Sequence, residues 1–227
     1  VTGVGVPQIT AIANVVEAMV SPGDEVILLA PFWVSYSAMI EICGGIPVIV
    51  KSDITSNFKV IASKIKDNIT SKTKMIIINS PNNPSGSVYN EHELREIGNM
   101  LMDYPEIFVL SDEIYEHINY GVKHFSFASI PEMYDRTITV NGVAKAFAMT
   151  GWRIGYLGAP EWLAKACTKL QGQSTSGANC IAQKATIAAL DANVNQIKYM
   201  IDEFSERREL IIDPVSYTHL TLPTKCS

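Results

Sequence analysis

Short apolar, β-rich segments alternate with longer helical segments along the chain, and this alternation restricts the fold more than any other feature. The candidate strands are residues 25–30, 47–50, 75–79, 107–111, 137–141 and 154–158, and the first three residues indicate a further strand that runs into a turn. The candidate helices are residues 8–20, 35–43, 60–69, 91–102, 161–172, 178–190 and 195–212. Strands separated by helices of this length are typical of α/β proteins. We therefore predict a mixed, mostly parallel sheet sandwiched by helices.

Polar and aromatic side chains follow four of the predicted strands. These residues are Trp33, Asn82, Asn83, Asp112 and Lys145. In an open α/β sheet, ligands bind outside the carboxyl ends of the strands. Because those ends meet at one edge, the four strands would deliver these side chains to one place. The pattern favours a site for a small molecule.

Charge and composition exclude several classes of partner. A formal net charge of −5 argues against a nucleic-acid surface, which needs clustered Lys and Arg. No apolar segment reaches the roughly 20 residues that a membrane-spanning helix needs. The cysteines form no C-x-x-C pair and the histidines have no metal-ligand spacing, so we expect reduced cysteines and no metal site. These features predict a protein of a reducing compartment, the cytoplasm.

The two ends of the chain indicate a fragment. The chain does not begin with Met, and any targeting peptide would precede Val1. The charged amphipathic segment 203–212 is followed by PVSYTHLTLPTKCS, which has no helical period. We expect residues 1–190 to form a large domain that is incomplete at its N-terminus. Residues 191–213 would connect it to a second domain, and residues 214–227 would be a non-native tail.

Four segments of the chain carry a family resemblance: PGDEVILLAPFWVSY, NSPNNPSG, SDEIYEH and NGVAKAFAMTGWRIGY. In this order they resemble class I aminotransferases of fold type I, and most closely the bacterial aspartate aminotransferases. The resemblance implies a fold-type-I large domain with the cofactor pyridoxal 5'-phosphate. It implies the transfer of an amino group from an L-amino acid, aspartate-like or aromatic, to a 2-oxo acid. It also implies a homodimer whose active sites share residues between subunits.

The resemblance assigns two catalytic residues. Lys145 would form an imine with the cofactor and then move the α-proton of the substrate. The nearly uncharged surroundings of Lys145 predict its burial beside the sheet. Asp112 would keep the ring nitrogen of the cofactor protonated, so that the ring can accept electrons. Taken alone, Lys145 would more simply be a surface residue and Asp112 the cap of a following helix.

Three further residues match those that bind the cofactor ring in the family. Tyr115 and Asn83 match the hydrogen-bond partners of its phenolic oxygen, and Tyr115 would lie one helical turn after Asp112. Trp33 matches the aromatic side chain that stacks on the ring. Trp33 and Asn83 are also expected to contact the substrate. By themselves, Asn83 would suit a turn and Trp33 a hydrophobic core.

The phosphate of the cofactor would be bound by a separate group of residues. Arg153, eight residues after Lys145, matches the phosphate-binding arginine of the family. Gly5 and Val6 belong to the loop that would cradle the phosphate at the start of the first helix. Val6 stands where many relatives carry a lysine that reads an acidic substrate side chain. The resemblance therefore does not extend to aspartate specificity.

Two other functions remain open at this point. The same fold and cofactor support other reactions, such as that of a carbon–sulfur lyase. The chain could instead be the effector-sensing module of a non-enzymatic regulator, which an upstream DNA-binding domain would reveal. As an aminotransferase the chain itself is expected to be inactive, because the N-terminal arm and the substrate-carboxylate arginine of the family are not in it.

Overall fold

One seven-stranded sheet organises the protein, in a computed structural model that describes residues 2–4 and 7–221. Its strand order is β1-β7-β6-β5-β4-β2-β3. The strands are β1 (Thr2–Val4), β2 (Glu25–Ala30), β3 (Ile46–Lys51), β4 (Thr73–Asn79), β5 (Phe108–Asp112), β6 (Thr137–Gly142) and β7 (Gly155–Gly158). Strand β7 is antiparallel to both of its neighbours, β6 and β1, and the other pairs are parallel. The predicted mixed, mostly parallel sheet is confirmed.

Helices cover both faces of the sheet. The helices of the chain are α1 (Gln8–Met19), α2 (Ser35–Ile42), α3 (Ala62–Lys66), α4 (Glu91–Leu101), α5 (Glu161–Ser174), α6 (Cys180–Asp191) and α7 (Lys198–Thr221). Side chains alternate along β2, so that Val26 and Leu28 pack in one core while Ile27 and Leu29 pack in the other. The first core contains residues of α1, α2 and α5, and the second contains residues of α3 and α4. A sheet buried on both faces explains why its strands are apolar almost throughout.

Helix α3 is shorter than the predicted helix 60–69, which was wrong at both ends. At the N-terminal side, the hydroxyl of Tyr89 accepts a hydrogen bond from the Val60 amide (2.7 Å) and donates one to the Val60 carbonyl (3.2 Å). Both backbone groups of Val60 are therefore held outside the helix. At the other side, the Asn68 side chain donates to the Lys64 carbonyl (2.8 Å) and closes the last turn.

The C-terminal part of the chain differs from the sequence prediction. Contacts divide the protein into two compact units, Val1–Ala189 and Leu190–Ser227. In the second unit a 3-10 turn, Val194–Ile197, precedes α7. Helix α7 then continues to Thr221, whereas the predicted helix ended at residue 212. Within the described part of the chain, no helix combines the length and apolar character needed to cross a membrane.

Candidate active site

The carboxyl ends of four adjacent strands, β2, β4, β5 and β6, surround one small cavity. Its volume is about 100 Å³, and its lining residues are Gln8, Trp33, Tyr36, Asn79, Asn83, Asp112, Ile114, Tyr115 and Lys145. Five of these nine residues are candidates from the sequence: Trp33, Asn83, Asp112, Tyr115 and Lys145. The sheet brings them together because the strands that they follow are consecutive neighbours.

Asp112 is the buried acid of this cavity, with 2% of its surface exposed at the end of β5. The amide of Gln8 donates to Oδ1 (2.5 Å), and the hydroxyl of Tyr36 donates to Oδ2 (2.6 Å). The backbone amide of Ile114 also donates to Oδ1 (3.2 Å). Burial raises the pKa of Asp112 to about 6, although the three hydrogen bonds favour its charged form.

The environment of Asp112 also affects Tyr36. Burial and the adjacent Asp112 carboxylate raise the pKa of Tyr36 well above its usual value. The phenol therefore remains a proton donor at any physiological pH.

No helix follows Asp112, because residues 114–117 form a turn. The alternative interpretation of Asp112 as a helix cap, and the expected helical turn between Asp112 and Tyr115, were both wrong.

Two asparagines hold the loop that carries Asn83. Asn79, at the end of β4, donates from Nδ2 to the Asp112 carbonyl (3.0 Å) and accepts at Oδ1 from the Asn83 amide (2.7 Å). Asn82 donates to the Pro31 carbonyl (3.1 Å) and so ties this loop to the loop that carries Trp33. Asn82 does not line the cavity and acts as a support for the loop.

Three polar groups that line the cavity make no hydrogen bond to another residue in the described part of the chain. Lys145 lies in a turn after β6, partly buried, with Nζ 5.6 Å from the centre of the Tyr115 ring. Within residues 2–4 and 7–221, no hydrogen bond to another residue is made by the Lys145 amine, the Tyr115 hydroxyl or the Asn83 side-chain amide. Trp33 completes the wall, with its ring edge-on to Tyr36 at 5.5 Å between centroids. These groups are available to bind a polar ligand.

Arg153 lies apart from this cavity. It is exposed, its φ of 56° is in the left-handed region, and Nη1 donates to the Thr150 carbonyl (2.9 Å). It lines a second, larger cavity of about 590 Å³. Pro7 lines the second cavity and Gln8 lines the first, so the N-terminus of α1 borders both cavities. Gly5 and Val6 lie outside the described residues.

A second buried carboxylate, Glu113, lies beside Asp112 but belongs to a different network. Its Oε1 accepts hydrogen bonds from the hydroxyls of Ser111 (2.8 Å) and Ser126 (2.9 Å) and from the Phe127 amide (3.3 Å). Its Oε2 is 3.1 Å from Nε2 of His124. With Glu116, these groups place three potential metal ligands within 4.8 Å of one another, a grouping that the histidine spacing did not indicate. Because Glu113 is already fully hydrogen-bonded, we interpret the group as a structural network.

Four residues of the cavity were not among the candidates from the sequence: Gln8, Tyr36, Asn79 and Ile114. Tyr36 lies in the first turn of α2, three residues after Trp33, and this closeness in sequence to a candidate residue is the signal that could have indicated it. Gln8 is the first residue of α1, and no motif marks it. Its position could only have been inferred from the rule that helices which follow strands begin at the ligand-binding edge of the sheet.

Several known proteins are similar to this chain in sequence. A sequence profile described as "Aminotransferase class I and II" matches residues 4–223. A bifunctional aspartate aminotransferase and glutamate/aspartate-prephenate aminotransferase from Petunia hybrida is 45% identical over 206 residues, which are 89% of this chain and 43% of that protein. A probable aspartate/prephenate aminotransferase from Rhizobium leguminosarum bv. phaseoli is 44% identical over 216 residues, 93% of this chain and 53% of that protein.

Solved structures give the same result. The aspartate aminotransferase from Rhizobium meliloti superposes with a TM-score of 0.91 at 40% identity, over 93% of this chain and 54% of that one. An aromatic aminotransferase from Pyrococcus horikoshii superposes with a TM-score of 0.91 at 34% identity, over 95% of this chain and 58% of that one. The chain thus spans about half the length of the relatives that it matches. The family resemblance carried by the four sequence segments is confirmed, and so is the fold-type-I class.

Proposed function

Because the chain belongs to the class I and II aminotransferase family, we propose that it carries the cofactor-binding site of a pyridoxal-phosphate-dependent aminotransferase. The observation that best supports this proposal is the convergence of Trp33, Asn83, Asp112, Tyr115 and Lys145 on one cavity. When bound, pyridoxal phosphate supplies an aldehyde that condenses with amines and a pyridine ring that accepts electrons.

The residues of the cavity suit this cofactor. A pyridine nitrogen needs a buried carboxylate, and the two oxygens of Asp112 offer about four acceptor positions, of which three are in use. The amine of Lys145, the side-chain amide of Asn83 and the hydroxyl of Tyr115 make no hydrogen bond to another residue in the described part of the chain. The cavity therefore combines one acceptor, one amine and two neutral hydrogen-bonding groups beside an aromatic wall.

Each residue has a role that follows from its chemistry. Lys145 provides Nζ for the covalent attachment of the cofactor and afterwards holds and moves a proton at that atom. Asp112 keeps a proton on the ring nitrogen. Asn83 and Tyr115 orient the ring through hydrogen bonds, and Trp33 packs on it and excludes water. Trp33 and Asn83 would also contact the substrate.

The phosphate of the cofactor would lie at the N-terminus of α1, which borders both cavities. The N-terminus of α1 carries backbone amides without helical partners and the positive end of the helix dipole, which both favour an anion. Arg153 lines the adjacent cavity, and its guanidinium can form a bidentate contact with a phosphate after it leaves the Thr150 carbonyl. Gly5 and Val6, which precede this helix, would complete the cradle.

The substrates would be an L-amino acid and a 2-oxo acid, and the active enzyme would be a homodimer. The relatives are named as aspartate, aspartate/prephenate and aromatic aminotransferases, which leaves acidic and aromatic amino donors as the two classes to compare. Amino transfer is expected from a protein of the relatives' full length. From the chain alone we expect cofactor binding with little turnover.

Cofactor attachment tests the proposal directly. The purified chain is mixed with pyridoxal phosphate and reduced with borohydride, and the modified peptide is identified by mass spectrometry. We expect the label on Lys145 and its loss in Lys145→Ala. Lys165→Ala is the matched control, because Lys165 is an exposed lysine in α5 paired with Glu161, and it should label like the parent. A label on another lysine, or none, would refute the assignment.

A further inference from the structure

Gln8 lies outside the four family-like segments, and its side chain contacts Asp112. Its Nε2 donates to Oδ1 of Asp112 over 2.5 Å, although 104 residues separate the two in the chain. Both groups line the same cavity. The hydroxyl of Tyr36 binds the other carboxylate oxygen, so the acid is held from two helices, α1 and α2.

The backbone of Gln8 is fixed by a close approach of β7. Gly155, the first residue of β7, has no side chain, and a Cβ atom there would lie 2.6 Å from both the amide nitrogen and the Cα of Gln8. Real Cβ atoms do not approach backbone atoms so closely. Ala11 and Val15 are almost fully buried and hold the rest of α1 against the sheet. Gly155 thus allows α1 to begin at the position from which Gln8 reaches Asp112.

The direction of the hydrogen bond defines its effect. An amide N–H that donates to a carboxylate favours the ionised form and restricts rotation of the carboxylate. The other titratable groups that face Asp112 are Tyr36, Glu113, Tyr115 and Lys145. Two neutral side chains also bind the Asp112 carboxylate. Gln8 donates to Oδ1, which accepts from the Ile114 backbone amide as well, and the hydroxyl of Tyr36 donates to Oδ2.

We propose that Gln8 is a positioning residue, held in place by Gly155, whose amide orients the Asp112 carboxylate and keeps it ionised for the pyridine nitrogen of the cofactor. This role rests on the proposed function. The contact itself exists without the cofactor, and it can be tested separately.

The first experiment measures the titration of Asp112 in the cofactor-free chain, by ¹³C NMR of its carboxyl carbon. Gln8→Met keeps the length of the side chain and removes the donor. We expect the proton affinity of Asp112 to rise about tenfold, which moves its titration midpoint up by about one pH unit. The matched control is Ile9→Met, at the neighbouring, partly exposed position of the same helical turn, and it should leave the midpoint unchanged.

Gly155→Ala tests how Gln8 is held. It should move the Asp112 midpoint in the same direction, and the double variant with Gln8→Met should move it no further than Gln8→Met alone. If Gly155→Ala does not fold, the Gln8→Met result still decides the proposal. An unchanged midpoint in Gln8→Met, with normal circular dichroism, would overturn it.

The second experiment measures the dissociation constant of pyridoxal phosphate as a function of pH. The ratio of the constants for Gln8→Met and the parent should be several-fold near pH 6.5 and should approach one near pH 8.5, where both carboxylates are ionised. A ratio independent of pH would indicate a packing role only and would count against the proposal. If no variant binds the cofactor, the proposed function fails while the Asp112 titration still tests the Gln8 contact.

Discussion

Two consecutive carboxylates, Asp112 and Glu113, are buried at the end of β5, with 2% and 3% of their surfaces exposed. Asp112 faces the cavity and is bound by Gln8 and Tyr36, whereas Glu113 is bound on the opposite side by Ser126 and His124. Successive residues of a strand point to opposite faces, so a single strand end supplies one acid to the site and one to the structure. The two acids should respond differently to substitution.

For Asp112 we predict a pH-dependent effect on stability in the cofactor-free chain. Its folded pKa of about 6 lies above the usual 3.8, so the folded state binds the proton more tightly than the unfolded state. The favourable contribution is present below pH 4 and is lost as pH rises through 6. In urea unfolding, the stability of Asp112→Asn relative to the parent should therefore increase by about 2 kcal/mol between pH 4.5 and 7.5. A difference that does not vary with pH would contradict the raised pKa.

For Glu113 we predict a large loss of stability. Glu113→Ala leaves the hydroxyls of Ser111 and Ser126 and the buried Phe127 amide without their acceptor. The free energy of unfolding at pH 7 should fall by about 2–4 kcal/mol. The control Glu41→Ala removes an exposed carboxylate and should change it by less than about 0.5 kcal/mol. A similar small effect at Glu113 would show that water replaces its hydrogen bonds.

The residues of the site that the sequence predicted share one property: each follows a strand and lies within a recognisable segment. Lys145 and Asp112 could be predicted in this way. Gln8 lies outside these segments and could not be predicted, because its importance comes from a hydrogen bond to Asp112 that spans 104 residues. Tyr36 lies inside one of the segments, but its role depends on a hydrogen bond to Asp112 that spans 76 residues. The conformation of Arg153 was equally hidden, since a left-handed backbone at a non-glycine residue has no sequence signal here.

Among the elements, strand and helix positions were predicted well where local signals are strong. Helix α4 begins at Glu91 as expected, because Asn90 and Glu93 form a capping box. The prediction was wrong where tertiary contacts determine the end of a helix. At α3, the hydroxyl of Tyr89 binds both backbone groups of Val60 and keeps them out of the helix. The prediction was also wrong in α7, where the segment after residue 212 carries no apolar repeat and is nevertheless helical.

The capping box of α4 supports a prediction at this scale. The side chain of Asn90 accepts from the Glu93 amide (3.0 Å), and the carboxylate of Glu93 accepts from the Asn90 amide (2.8 Å). Asn90→Ala should lower the free energy of unfolding by about 1 kcal/mol, measured by urea denaturation. Asn90→Asp retains an acceptor and should stay close to the parent. Equal losses in both variants would argue against capping.

At the scale of the whole molecule, we predict that the second compact unit, Leu190–Ser227, is dispensable for cofactor binding. All the residues that line the candidate cavity lie in Val1–Ala189. A chain that ends at Asp191, the last residue of α6, should bind pyridoxal phosphate within about twofold of the full chain and unfold in one cooperative transition. Fluorescence titration and calorimetry measure the two quantities. Loss of either property would show that residues after 191 belong to the same folding unit.

The place of β1 in the sheet has a consequence for synthesis on the ribosome. This strand is made before the other six strands of the sheet and lies at one edge of it, where its one strand neighbour in the described chain is β7. The nascent strand therefore has no partner until residues 155–158 have left the exit tunnel, and α1 cannot settle against Gly155 before then. Such non-local pairing is slow to form. The cavity should close last, so that cofactor added during translation would bind only to chains that have already extended past β7.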